Sequence, residues 1–355
     1  MMEETNMVFK RWFAHLLFLS VLASAVIMIY LINPLPNLKR SESGEKEELV
    51  VYSSERTEFM DCVLSLFEEK YNIPVKLVTG ENEELITTLK DGKGMPSVDV
   101  LMGVSPLELY GNEALFQRYV SKNHQYISVS YQQENGFSTV YLLSGNCIVV
   151  NKTLARDIDI TGYTDLLKPE LAGRIAMSDP YYSMMGFSHM INILEITGGS
   201  NSETAWDFYK SLLEQSKVQL SAEEVYSGVA KGKYVAGLAY DEVCASLIKE
   251  GADIAIVYPV EGSLFMTKNA AILNDAPHLE YAELFIDFLI SKDMQDIFGT
   301  VLTARPVRIV AQISGYLSSK DSIPSVLPDF ESYSKSKTEL KKRYRESLIE
   351  VSENE

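Results

Sequence analysis

The residues best placed to do chemistry in this chain are Ser183, Met184 and Met185, followed by Gly186, because they open a helix directly after a short apolar run at 175–177 and the breaker Pro180. Apolar residues then recur at helical spacing, at Phe187, Met190, Ile191 and Leu194, until Gly198 and Gly199 end the pattern. Ser183 is the natural N-cap. The first N–H groups of a helix lack internal partners and carry the positive end of its dipole, and here no Asp or Glu stands in the first turn to neutralise them. A phosphate or carboxylate from outside would be held by such a start. The plainer reading, that Ser183 only caps its own helix, fits the same residues.

Other candidates sit where strands are expected to end, since ligands of open α/β sheets bind outside the carboxyl ends of the strands. Ser53 and Ser54 follow the first strand, Gly103 and Ser105 the third, Ser144 marks a crossover, and Ser221 precedes a helix. Tyr240 and Asp241 close another strand, and Asp241 is the acid placed to take an amine or sugar hydroxyls. Each serine serves equally well as a helix cap. No metal site or cofactor is expected. The chain has 4 histidines with no paired spacing, and His189 on an apolar helix face reads as structural. Cys62, Cys147 and Cys244 lack metal-ligand spacing and read as small buried residues. Without a nucleophile–base set or a Gly-rich phosphate loop, an enzyme is not expected.

These residues need a frame to converge. With 355 residues and 46% hydrophobic content the chain is long enough for two domains, and a net charge of -17 argues against nucleic-acid or anionic-membrane surfaces, so any anion site must be local. Strands at 49–52, 75–78 and 98–102 alternate with helices carrying Phe59, Val63 and Phe67, then Leu85, Ile86 and Leu89. That order predicts βαβ units and a mostly parallel sheet. Two strands at 139–143 and 147–150 with no helix between them suit a crossover into a second lobe. This lobe would hold the Ser183 helix, helices at 206–213 and 221–230, and a strand at 235–240. The chain returns through 254–262 to a strand at 270–273 and a helix at 282–289. A charged terminal helix from 335, with Leu340, Tyr344 and Leu348 spaced four apart, reads as a solvated end packed by one stripe.

At the N-terminus, Lys10 and Arg11 precede a largely apolar run at 12–32, long enough to span a membrane. A small-residue cleavage candidate at 23–25 lies inside that run, which continues beyond it and favours an uncleaved anchor. Residues 34–48 read as a polar linker.

Together, VYSS at 51–54, DVLMG at 99–103, DLLKPELAGRIAMSDP at 165–180, VAKGKY at 229–234, VYPVEG at 257–262 and ARPVR at 304–308 resemble, in order and spacing, the bacterial extracellular solute-binding proteins of ABC importers, of the ferric-iron and phosphorylated-solute type. The resemblance implies a type II periplasmic-binding-protein fold: two α/β lobes joined by two crossing strands, lobe 1 at 49–143 and 262–330, lobe 2 at 144–261, with the anchor at 1–33 and the charged helix at 331–355 outside them. It implies an extracytoplasmic, membrane-anchored monomer that captures a small anionic solute and hands it to an ABC permease, or reports it to a sensor kinase. The adjacent tyrosines of ferric-ion binders are absent after the 235–239 strand, where Tyr240 is followed by Asp241 and Glu242. Tyr181 and Tyr182 lie elsewhere and read as a cleft-wall or packing pair. Ser183 matches the small-residue run that holds phosphate in the other branch. Met184 and Met185 depart from it, standing where Gly and Thr are common. Ferric-iron capture remains the alternative.

Overall fold

A computed structural model describes residues 47–92, 97–133 and 135–354. The expected anchor and most of the linker lie outside the described residues. Among these residues, no helix is long and apolar enough to cross a membrane.

The chain opens with β1 (Leu49–Ser53), α1 (Thr57–Tyr71), β2 (Val75–Thr79), α2 (Asn82–Asp91), β3 (Val100–Val104) and the short α3 (Pro106–Leu109). β1 pairs in parallel with both β2 and β3, as the alternation of strand and helix predicts. Next comes β4 (Thr139–Asn151), a single strand of 13 residues where two were expected. It runs unbroken through Ser144, Gly145 and Asn146 because distant side chains satisfy those polar groups: Glu242, Asp241 and Asn192 respectively.

The second half follows as β5 (Ile175–Ser178), α4 (Met184–Thr197), α5 (Glu203–Gln215), β6 (Ser216–Gln219), α6 (Ala222–Ala230), β7 (Ala236–Tyr240), α7 (Asp241–Lys249) and β8 (Ile254–Val257). The chain then returns through β9 (Ser263–Ile272) to α8 (Leu279–Leu289), α9 (Lys292–Thr300), β10 (Arg305–Pro306), β11 (Ser325–Val326) and α10 (Phe330–Asn354). β4 is the crossing element: Thr139 to Gly145 pair antiparallel with β9, and Asn146 to Asn151 with β7 and β8. β9 also pairs with β3, closing the first sheet. It is longer than the expected strand at 270–273, since Lys268 and Asn269 look like a polar interruption but are held inside it. Asn269 Nδ2 donates to the Val104 carbonyl at 3.1 Å, and Lys268 is ion-paired.

Each half has its own core. Phe67, Phe285 and Phe298 pack among the buried residues of the first, and Trp206, Tyr209 and Ile191 among those of the second. α10 contributes Leu340, Tyr344 and Val351 to the second core, so its apolar stripe is real. Its opposite flank is not simply solvated: Ser334 Oγ donates to the Leu107 carbonyl of the first half at 2.7 Å.

Candidate functional site

The two halves meet at the carboxyl ends of β1, β3 and β7. On the floor, Lys268 Nζ lies 2.9 Å from Glu55 Oε2 and 3.4 Å from Glu242 Oε1, so a lysine of a connecting strand joins an acid of the first half to one of the second. Ser144 Oγ donates to Glu242 Oε1 at 2.8 Å, and the Tyr141 hydroxyl donates to Glu55 Oε1. Glu242 is buried, and its Oε2 has no partner among the described residues. Burial raises its pKa above the ordinary carboxylate value, with Asp241 adding to the rise and Lys268 opposing it. Burial also pushes up the Tyr240 phenol, which stays protonated and donates to the Met184 carbonyl at 3.4 Å.

The wall is the start of α4. Ser183 Oγ accepts from the Gly186 N–H at 3.3 Å, and no acid stands in the first turn. A Cβ on Gly186 would lie 2.3 Å from the Ser178 carbonyl oxygen, so only glycine lets the helix start sit on the end of β5. This helix start borders an inner cavity of about 40 Å³ whose far side is formed by Asn82 and Glu108 of the first half and by Lys337 and Lys341 of α10. Tyr181 and Tyr182 form an edge-to-face pair with ring centroids 4.9 Å apart and line both this cavity and an outer groove of about 580 Å³ against α10.

The residues singled out in the sequence divide accordingly. Ser183 and Met184 line the inner cavity, Ser144 donates to Glu242 and Tyr240 to the Met184 carbonyl, while Met185 turns into the core beside Val225 and Cys244. Ser53 is buried, accepting from the Glu55 N–H at 3.1 Å, and so aims Glu55 rather than meeting a solute itself. Ser54 Oγ donates to the Gly103 carbonyl at 3.0 Å, tying the loops after β1 and β3 together; Gly103 has φ 89°, which suits glycine. Ser105 caps α3 reciprocally with Glu108. Ser221 is exposed and does the same for α6 with Glu224, away from the inner cavity.

Asp241 is a correction. Its side chain is fully buried, and its oxygens accept from Arg305 Nε at 2.6 Å, the Tyr258 hydroxyl at 3.0 Å and the Gly145 N–H at 3.0 Å. Its carboxylate is committed to these three donors; Glu242, its neighbour in sequence, is held instead by Ser144 and Lys268. Arg305 therefore pairs in the interior. His189 bridges the Tyr163 hydroxyl and the Ala239 carbonyl, 3.0 Å from each, and burial lowers its pKa to about 4, so it is a neutral structural residue. Glu55 and Glu242 adjoin the expected strand-end candidates Ser54 and Asp241, whereas Lys268 and the α10 lysines were not foreseen. The available hints were the acid directly after Ser54 and one lysine within an apolar strand. Among the described residues no group of His, Cys, Asp and Glu is arranged to hold a metal ion.

Residues 64–320 match the family model for bacterial extracellular solute-binding proteins. The chain belongs to that family. Its fold is that of the periplasmic binding proteins: this solute-binding protein superimposes with a TM-score of 0.78 on one from Actinobacillus pleuropneumoniae with fructose 6-phosphate bound, at 22% identity, covering 86% of this chain and 99% of the other. By sequence it is 24% identical over 270 residues to iron uptake protein A1 of Synechocystis, covering 71% of this chain and 73% of the relative. It is 22% identical over 299 residues to the spermidine/putrescine-binding periplasmic protein of Escherichia coli, covering 80% and 81%.

Proposed function

We propose that this solute-binding protein is the extracytoplasmic receptor of an ABC importer, held at the membrane by its N-terminal segment, and that it captures a small phosphorylated or phosphonate-like solute between its lobes. The observation that carries the reading is the start of α4: a Ser183-capped helix with no acid in its first turn, opening on a cavity that residues of both halves line. Backbone N–H groups and the helix dipole favour an anion there. On the floor, Glu242 Oε2, which has no partner among the described residues, and the protonated Tyr240 suit a solute that carries hydroxyl or amine groups beyond its anionic end, as a phosphorylated polyol does. The protein binds and hands over rather than catalyses. Its lobes, 49–143 with 262–330 and 144–261, close because the solute fits the closed state better, and a permease then accepts the loaded form.

The test is calorimetry and thermal unfolding of the full chain, in mild detergent, against fructose 6-phosphate, aminoalkylphosphonates, inorganic phosphate, putrescine and Fe(III). At about a hundred times its dissociation constant a true solute adds about 2.7 kcal/mol of stability. A shift with a phosphorylated compound supports the proposal. Stabilisation by putrescine alone, or by Fe(III) with a tyrosinate absorption band, would replace the anion with a cation.

A further inference from the structure

We infer that the C-terminal helix is part of the recognition machinery: Lys337 and Lys341 of α10 hold the anionic group of the solute, with Glu83 as the counter-ion that the solute displaces. The inference rests on the anion reading above, but on different residues. α10 lies beyond the 64–320 span of the family match.

The lysines are one helical turn apart, point the same way, and share the inner cavity with Ser183 and Met184 of the α4 start. Both are largely withdrawn from solvent, at 17% and 12% side-chain exposure. Lys337 Nζ is 3.1 Å from Glu108 Oε1 and 3.5 Å from Glu83 Oε2, and Lys341 Nζ is 2.7 Å from Glu83 Oε2. The two acids differ in what releasing them would cost. Glu108 is 3% exposed and also accepts from Ser105, so it stays; Glu83 is 66% exposed and can swing into water, where its desolvation cost vanishes. Removing Glu83 leaves both ammonium groups facing the helix start with one carboxylate between them. A second observation marks the place as a ligand position. Asn82, on the same turn as Glu83, is 8% exposed and lines the cavity, and its Oδ1 has no partner among the described residues. It is an acceptor waiting for a donor, as the hydroxyl of a phosphorylated polyol would be. The cavity is small, the size of roughly three waters, which suits a phosphoryl group but not a whole sugar.

Since α10 is anchored in the second core through Leu340 and Tyr344, while Glu83 and Asn82 belong to the first half, the same exchange reports to both halves that the solute has arrived.

The experiment titrates fructose 6-phosphate and inorganic phosphate into the full chain and its variants by calorimetry. Lys337→Met and Lys341→Met should each weaken fructose 6-phosphate binding roughly tenfold to hundredfold. Glu83→Gln, which removes the competing counter-ion, should tighten it several-fold, a gain that damage to the fold would not give. Lysine variants that bind as tightly as the parent, or a Glu83→Gln variant that gains nothing, would overturn the inference and leave the anion reading standing. A parent protein that binds neither phosphate compound overturns both.

Discussion

Arg305 Nε stands 2.6 Å from Asp241 Oδ2, with both side chains almost wholly withdrawn from water. The pair joins β10 to the first turn of α7, and Gly145 of the crossing strand donates to the same carboxylate. Removing one partner strands the other charge in the interior. Arg305→Met should therefore destabilise the protein by about 3–5 kcal/mol, measured by chemical denaturation. Because Tyr258 donates to Asp241 and its hydroxyl also accepts from Arg305 Nη2 at 2.6 Å, the loss should exceed that of Tyr258→Phe. A loss below about 1 kcal/mol would put the pair among ordinary surface bridges.

Gly186 is the second lever. Alanine there would place a Cβ 2.3 Å from the Ser178 carbonyl oxygen and 3.0 Å from the Asp179 carbonyl carbon, both backbone atoms that cannot rotate away. The start of α4 must lift off β5. Overpacking of this kind costs about 1–3 kcal/mol, and Gly186→Ala should also weaken phosphorylated-solute binding more than it lowers the melting temperature would suggest. Equal affinity in the variant would show that the α4 start plays no part in holding the solute.

Much of this arrangement was legible beforehand, and what was not has a physical reason. The β1 to β3 alternation and the Ser183 cap rest on local patterns, which one stretch of chain displays by itself. β4 looked like two strands because Ser144, Gly145 and Asn146 read as a breaker; the acids that keep the strand extended there, Glu242 and Asp241, lie 98 and 96 residues away. That Asp241 is taken up by an interior ion pair depends on Arg305, 64 residues further on. Lys337 and Lys341 looked like a solvated face, since their partners Glu108 and Glu83 are 229 and 258 residues distant. Local periodicity shows which face of an element is apolar, but a polar side chain's role is set by partners that sequence proximity does not reveal.

His189 gives a pH signature. Its pKa falls from the ordinary 6.5 to about 4 because burial penalises the cation, although its bond to the Ala239 carbonyl opposes the shift. In the unfolded chain it protonates near 6.5. The unfolded state thus binds the proton first, and stability is untouched above that value, falls as the pH drops from 6.5 toward 4, and levels off below. The fall attributable to this residue is at most about 3 kcal/mol. Denaturation at a series of pH values should show it in the parent and a flatter profile in His189→Gln. Identical profiles would assign acid sensitivity to the carboxylates instead.

Glu242 tests the floor of the cleft. Its Oε1 is taken by Ser144 and Lys268, while Oε2 is buried without a partner among the described residues, an arrangement that a folded protein tolerates when a ligand completes it. Glu242→Gln keeps the shape and replaces one acceptor with an amide donor. If Oε2 receives a solute hydroxyl or ammonium, the donor of the amide meets the donor of the solute, and affinity should fall about tenfold to hundredfold. The fold should be affected far less, by about 1 kcal/mol in either direction, since the change also removes the cost of an uncompensated buried oxygen. Calorimetric titration with fructose 6-phosphate beside thermal unfolding separates the two. An affinity that survives the substitution would mean that Oε2 faces only protein, and that the solute is recognised through its anionic end alone.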